Sequence, residues 1–440
     1  MYPAATQKDR SPRTPGERRS LLLSLFQLSA TLMTLAAAIS WLNRRFVKLP
    51  QNVSLVIAGL CLALGLALVA AFHGESEFSR SALSTIRHID FSKAVLDGML
   101  GFLLFAGALQ IDLQRLRRRA WGVAGLATLG VAVTAVIVGA GMWLIAQVSG
   151  LPLSFAWAMV FGTLIAPTDP VAVLATLKTA NPPASLEMDM SGEALFNDGV
   201  SVVLFTVALM FASEQDHPGL GRIGEIFLVE AGGGGLLGLA AGYVAYRAMR
   251  AIDDYPIEVM ISVALVMSTY AVADALHMSG PIAVVVAGVL TGNRGARHAM
   301  SDQTRRYVFG FWTLVDDTLN ALLFLLIGLE VLLLSFDPYL GLVAMAAIPL
   351  ALLARFVAVS GAVWLLGGVM HFVRGTVPVL TWGSVRGGIS IALALSVPES
   401  DGRSFILAAT YNVVLFTVIV QGLTLAKVVR WTAKGEIGHD

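Results

Sequence analysis

Three short stretches of this 440-residue chain set charged side chains inside apolar surroundings. The first, Gly162-Thr-Leu-Ile-Ala-Pro-Thr-Asp-Pro170, places Asp169 between Pro167 and Pro170. Each proline removes a backbone donor and its ring obstructs the preceding turn. A helix broken there frees carbonyls and turns a new amide-lined end into the protein. Within a bilayer, non-helical backbone is tolerated only when buried in protein or lining a water cavity, so Thr168 and Asp169 are expected at the wall of a polar pocket. The plainer alternative is a proline kink with an Asp bonded to it for packing. The second stretch, Ser191-Gly-Glu-Ala-Leu-Phe-Asn-Asp-Gly199, puts Glu193 and Asn197 on one helix face and points Asp198 elsewhere. Two acids in two directions suggest two roles, Asp198 facing the break and Glu193 a different neighbour, or the positive end of the helix dipole. The third, Trp382-Gly-Ser-Val-Arg386-Gly387-Gly388, is a second interrupted helix carrying a charge. A buried guanidinium keeps its proton and needs a carboxylate. Glu193 is assigned to Arg386, because pairing Asp198 would pin the group that should titrate. Arg355 is a supporting charge that neutralises Asp316 or Asp317 or snorkels outward.

These residues must be held by helices in a membrane. The chain is 56% apolar and 13% charged, with mean hydropathy +0.76, where a soluble domain is about 25% charged. That excludes an ordinary cytosolic enzyme, a disordered chain and a coiled coil. Thirty Lys and Arg against 29 Asp and Glu leave a net +1, so no basic surplus points to nucleic acid. The lone cysteine, Cys61, makes neither an intrachain disulfide nor a zinc cluster, and the seven scattered His give no metal site. No phosphate-binding G-x-x-x-x-G-K-[ST] motif occurs, so no cofactor is expected, and whatever moves is driven by a gradient.

A spanning helix needs about 20 mostly apolar residues. Thirteen stretches qualify: 20–42, 51–73, 91–113, 120–147, 151–177, 189–212, 226–246, 255–276, 280–293, 311–335, 339–367, 379–398 and 404–426, the ninth short. Continuous rather than alternating apolar runs disfavour a barrel. The run from Ser20 outlasts a signal-peptide core, so it is expected as a retained helix after a polar tail, 1–19. A transporter domain then fills 20–430, followed by a short tail, 431–440. Alternation places 18 Lys and Arg on the side of the C-terminus and 9 on the other, 5 of them in the N-terminal tail. Positive-inside bias predicts a cytoplasmic C-terminus and an outside N-terminus, although the basic tail runs against it. The interrupted spans, five and twelve, lie seven apart. Residues 20–212 and 255–426 then read as two inverted six-helix repeats joined by a linker helix, 226–246, an arrangement that points to a transporter's midplane site.

Thr168-Asp169-Pro170, Gly192-Glu193 with Asn197-Asp198, and Trp382-Gly-Ser-Val-Arg386-Gly387 resemble the monovalent cation:proton antiporter-1 family, its NhaP-like and eukaryotic exchanger branch. The resemblance runs from about residue 20 to 430. It implies thirteen helices, a homodimer, two crossed broken helices, and a core moving like an elevator against a dimer domain. It also implies Asp198 as shared carrier of cation and proton, Thr168 and Asp169 beside the ion, Asn197 as structural partner, a buried Glu193–Arg386 pair, and electroneutral exchange. Two positions depart from the family. Ala106, in Leu104-Phe-Ala-Gly-Ala-Leu109, stands where an acid is frequent, and Ala194 where a Ser is frequent, so two oxygen ligands are missing.

The expected chemistry is competition at one carboxylate: burial favours the neutral acid and a bound cation the charged one. Asp198 would hold H⁺ or Na⁺ (or Li⁺), and the bare anion would not cross. Asp169 and Thr168 would supply oxygen to the hard cation. The location expected is the cell membrane. K⁺ or another monovalent ion is the rival cargo. Outside transporters, an intramembrane aspartic protease would need a Tyr-Asp plus Gly-x-Gly-Asp pattern, and neither string occurs. A channel would pass ions without proton counterflow.

Overall fold

Large apolar and charged side chains have exchanged the places they take in a water-soluble protein. Phe72, Leu144, Val148, Leu236, Trp364 and Leu365 lie on the outside, while Asp189, Glu193, Asp198, Glu258, Glu330, Arg355 and Arg386 are buried. An apolar exterior with charges turned inward is the pattern a bilayer imposes. The computed structural model describes residues 15–73, 93–118, 120–169, 184–213, 221, 224–225, 228–331, 337–368, 372–373 and 375–433. Residues 1–14 of the expected tail, 170–177 of the fifth expected span and 434–440 lie outside the described residues.

Among the described residues the regular structure is helical, with no strand. The main helices are α1 (Pro15–Leu42), α2 (Gln51–His73), α3 (Leu100–Leu109), α4 (Val131–Val148), α5 (Phe155–Ile165), α6 (Ala184–Ala212), α7 (Gly234–Arg250) and α8 (Tyr255–Ala275). They continue with α9 (Gly280–Leu290), α10 (Asp302–Glu330), α11 (Ala347–Leu366), α12 (Thr376–Trp382), α13 (Gly388–Ser396), α14 (Arg403–Phe416) and α15 (Gly422–Ala433). Among the described residues, eight helical stretches are long and apolar enough to cross a membrane, from Gln51–Val69 to Arg403–Thr432, and α3 and α5 are shorter apolar helices.

Local chemistry sets several starts. The side chains of Ser154, Asp254, Ser279 and Ser301 accept from the backbone N–H groups of Trp157, Ile257, Ile282 and Thr304, satisfying donors that a helix start leaves free. The Ser301 cap explains why α10 begins nine residues before the expected 311: a polar turn extends a helix whose apolar run starts later. The ninth stretch, short by composition, continues through a wide π turn, Thr291–Gly295, to His298.

The helices sort into two bundles. In one, α2 packs on α10, α3 and α7 on α9, and α8 on both α9 and α10; in the other, α4 packs on α5 and α11, α5 on α6, α11 on α12, α13 on α14, and α12 on α15. The α4–α5 crossing is so close that a Cβ on Gly162 would stand 2.1 Å from the Ala135 carbonyl oxygen. Between the bundles the contacts are thinner: α6 with α9, α3 with α6, α10 with α13, and α2 with the π turn Thr417–Gln421 that joins α14 to α15. There the meeting atoms are side chains, Ile282 against Gly199 and Leu323 against Gly388. Helices from each half of the sequence therefore contribute to each bundle.

Candidate functional site

Helix α5 ends at Ile165, and the chain from Ala166 to Asp169 runs on without helical hydrogen bonding. Pro167 explains the stop, since it cannot donate and its ring blocks the turn before it. Pro170 lies outside the described residues. The second break runs from Gly383 to Gly387, dividing the single twelfth span of the sequence reading into α12 and α13. The two breaks meet: the Asp169 N–H donates to the Val385 carbonyl at 2.8 Å. Each interrupted segment thus satisfies a backbone group that the other leaves open, as a buried polar backbone requires.

Gly387 makes the approach possible. A Cβ there would lie 2.1 Å from Oδ2 of Asp169 and 2.8 Å from its Cβ and Cγ, so the carboxylate rests directly against the backbone of the second break. Gly387 itself is extended, at φ −121° and ψ −158°, a conformation open to any residue. The glycine is needed for space.

Helix α6 supplies the second wall. Asn197 and Asp198 are buried, at 0% and 2% exposure. Asn197 Nδ2 donates to Thr168 Oγ1 at 2.8 Å, tying α6 to the first break. Asn197 Oδ1 and the hydroxyl of Ser201, one turn further on, are buried without a hydrogen-bond partner. Asp198 follows Asn197 directly in α6, which brings a second acid into the same buried region as Thr168 and Asp169. Among the described residues no lysine or arginine forms an ion pair with Asp198. The residues on α6 and at the first break thus include two carboxylates, an amide oxygen and two hydroxyls. Such an all-oxygen set suits a hard cation, and a buried carboxyl free of a basic partner is a site for a proton. Ser201 was not singled out in the sequence; its spacing of four from Asn197 was the available signal.

Glu193 overturns one expectation. Its carboxylate is held by Arg355, whose Nη2 donates to Oε2 at 2.7 Å and whose Nη1 bonds Oε1. Among the described residues Arg386 forms no hydrogen bond or ion pair with Glu193. That guanidinium folds back onto its own break, donating from Nη1 to the Ser384 carbonyl at 2.9 Å and to the Ser384 hydroxyl, while its Nε has no partner. Arg355 is 3% exposed, so it does not snorkel outward, and its guanidinium is taken by Glu193; on α10, Asp316 accepts from Asn320 Nδ2 at 2.9 Å. The forked geometry of guanidinium suits such a two-point pairing. Arg355 Nε also donates to the Leu380 carbonyl at 3.4 Å, so one side chain links α11, α6 and α12. Both arginines are buried in apolar sequence, and only the packing of α11 distinguishes them.

Ala106 is wholly buried on α3, in the apolar cluster with Phe105, Leu195 and Trp312, and Ala194 is buried on α6. Neither offers a side-chain oxygen.

The family model described as "Sodium/hydrogen exchanger, transmembrane" matches residues 30–431. The chain is 40% identical over 421 residues to the Na(+)/H(+) antiporter NhaP of Pseudomonas aeruginosa, covering 94% of this chain and 98% of that protein. It is 36% identical over 414 residues to the Na(+)/H(+) antiporter NhaH of Halobacillus aidingensis, covering 93% and 96%. Its fold is similar to that of the sodium proton antiporter MjNhaP1 from Methanocaldococcus jannaschii, with TM-score 0.72 at 20% identity over 94% of this chain and 99% of that one.

Proposed function

The chain belongs to the sodium/hydrogen exchanger family of membrane transporters, and from that premise we propose that it exchanges Na⁺ for protons across the cell membrane by competition at Asp198. The observation that carries this reading is a buried aspartate that pairs with no lysine or arginine among the described residues, beside the place where two broken helices are bonded to each other. Asp198 takes either H⁺ or the cation. Thr168, Asp169 and Asn197 line the cation's position, and the Ser201 hydroxyl adds an oxygen at the same face of α6. Either occupant neutralises the carboxylate, whereas the bare anion is too costly to carry through apolar surroundings. Exchange follows from that exclusion, and the Asn197-Asp198 sequence favours an electroneutral form serving pH homeostasis.

In this reading the helical stretches between residues 15 and 433 make thirteen crossings, α12 with α13 and α14 with α15 each forming one, and the two sequence halves are inverted repeats. The C-terminus is cytoplasmic, the N-terminus outside, and the protein is a homodimer. The bundle holding α4–α6 and α11–α15 carries the ion past the other. Support comes from the boundary itself, where the Ile282 side chain lies against Gly199, next to Asp198, and the Leu323 side chain against Gly388, at the end of the second break.

K⁺ or another monovalent cation is the second cargo, because Ala106 and Ala194 leave the site without two oxygens that the family resemblance implies. In vesicles holding the purified protein, proton flux driven in turn by Na⁺, Li⁺ and K⁺ separates the cargoes, with Na⁺ the expected driver. Asp198→Asn abolishes the flux while the protein still inserts; cation-dependent proton flux retained by that variant would overturn the mechanism.

A further inference from the structure

The second break frees backbone groups of its own, and one of them is satisfied from outside. The N–H of Arg386 donates to Thr417 Oγ1 at 3.0 Å. Thr417 is 4% exposed and opens the π turn Thr417–Gln421, in which its carbonyl accepts from the Gly422 N–H. Its hydroxyl has one proton, and two acceptors face it: the Val414 carbonyl at 3.0 Å and the Arg386 carbonyl at 3.5 Å. The nearer one takes the proton, leaving the lone pairs toward Arg386. π turns inside α-helices are frequent at functional positions. This one also carries a second buried polar group, the Gln421 amide, which has no hydrogen-bond partner at either end.

The bonds form a relay. Thr417 fixes the Arg386 amide; the next carbonyl up the chain, Val385, receives Asp169 N–H at 2.8 Å; the next residue down, Gly387, is the surface against which the Asp169 carboxylate rests. The same turn touches α2 of the other bundle, where a Cβ on Gly422 would lie 3.1 Å from Val53. Thr417 therefore joins the boundary between bundles to the backbone that aims Asp169.

We infer that Thr417 is a positioning residue for cation binding, acting on Asp169 through the Arg386 and Val385 backbone without touching the ion. The inference rests on the reading of Asp198 and Asp169 as the exchange site. Groups that orient a cation's ligands are typically worth about 10–100-fold in affinity or activity. Thr417→Val keeps the shape and removes the acceptor, and the half-saturating Na⁺ concentration should rise by about tenfold. Thr417→Ser, which keeps the hydroxyl, should restore it.

The experiment measures Na⁺-driven proton flux against Na⁺ concentration in vesicles, together with the thermal midpoint of each purified variant with and without Na⁺. A raised half-saturation in Thr417→Val, rescued in Thr417→Ser, supports the assignment. A lowered midpoint with unchanged half-saturation makes Thr417 a packing residue only and overturns it. If Thr417→Val does not reach the membrane, Thr417→Cys, whose thiol accepts weakly, replaces it under the same two outcomes. Asp198→Asn is run alongside: flux surviving there defeats the exchange site itself, whereas a normal Thr417→Val beside a dead Asp198→Asn defeats only the relay.

Discussion

Replacing Gly387 by alanine adds one methyl group at the point where the Asp169 carboxylate meets the second break. The new Cβ would sit 2.1 Å from Asp169 Oδ2, and ordinary contact begins at 3.4 Å. The oxygen must therefore retreat by about 1.3 Å, while the Asp169 N–H stays tied to Val385 at 2.8 Å and resists the shift as an obligatory backbone bond. The backbone of residue 387 is already extended, so the substitution introduces no dihedral strain and isolates the clash. Misplacing a reacting group by about 1 Å can cost about 10²-fold, and a loss of that order is expected in Na⁺-driven flux per folded molecule. The assay is the initial rate of proton flux in reconstituted vesicles across a Na⁺ series, normalised to inserted protein. Gly361→Ala is the control, since nothing lies within 4 Å of a Cβ there. It should leave flux unchanged and raise stability by about 0.4–1 kcal/mol, as a glycine-to-alanine change does at a compatible position. Wild-type rate and Na⁺ dependence in Gly387→Ala would refute the placement of Asp169 against this backbone.

Two further outcomes follow from the site. Glu193→Gln or Arg355→Gln leaves a buried charge unpaired and should lower stability by about 3–5 kcal/mol, visible as a lower thermal midpoint. The double variant should lose less than the sum of the two, because the residues share one interaction; strict additivity would separate them. Ala106→Glu adds a carboxylate at position 106 and should lower the half-saturating Na⁺ concentration, whereas an unchanged value would put residue 106 outside the site.

Much of the site was legible because a bilayer makes charge conspicuous. Asp169 between two prolines, Asp198 in an apolar run, and Arg386 before two glycines stand out in a chain with 13% charged residues, since each is costly in apolar surroundings. The first break was legible too, because proline cannot continue a helix on its N-terminal side and α5 ends before Pro167; the second was legible from Arg386 followed by two glycines. Helix starts set by polar caps were harder to read. Ser301 opens α10 well ahead of its apolar run, and hydropathy carries no trace of a side chain accepting from a backbone amide.

Composition and residue order by themselves determined a helical membrane protein with two interrupted segments and a buried carboxylate between them, because burial cost and backbone chemistry are properties of each residue. Tertiary structure alone decided who meets whom. Two buried arginines were available to Glu193, and the packing of α11 against α12 delivers Arg355 while Arg386 turns back on Ser384. Thr417, in an unremarkable apolar helix, became the acceptor for a freed amide only when α14 settled beside the break. Pairing energies depend on distance and on what else can satisfy each group, and those are fixed when the helices pack.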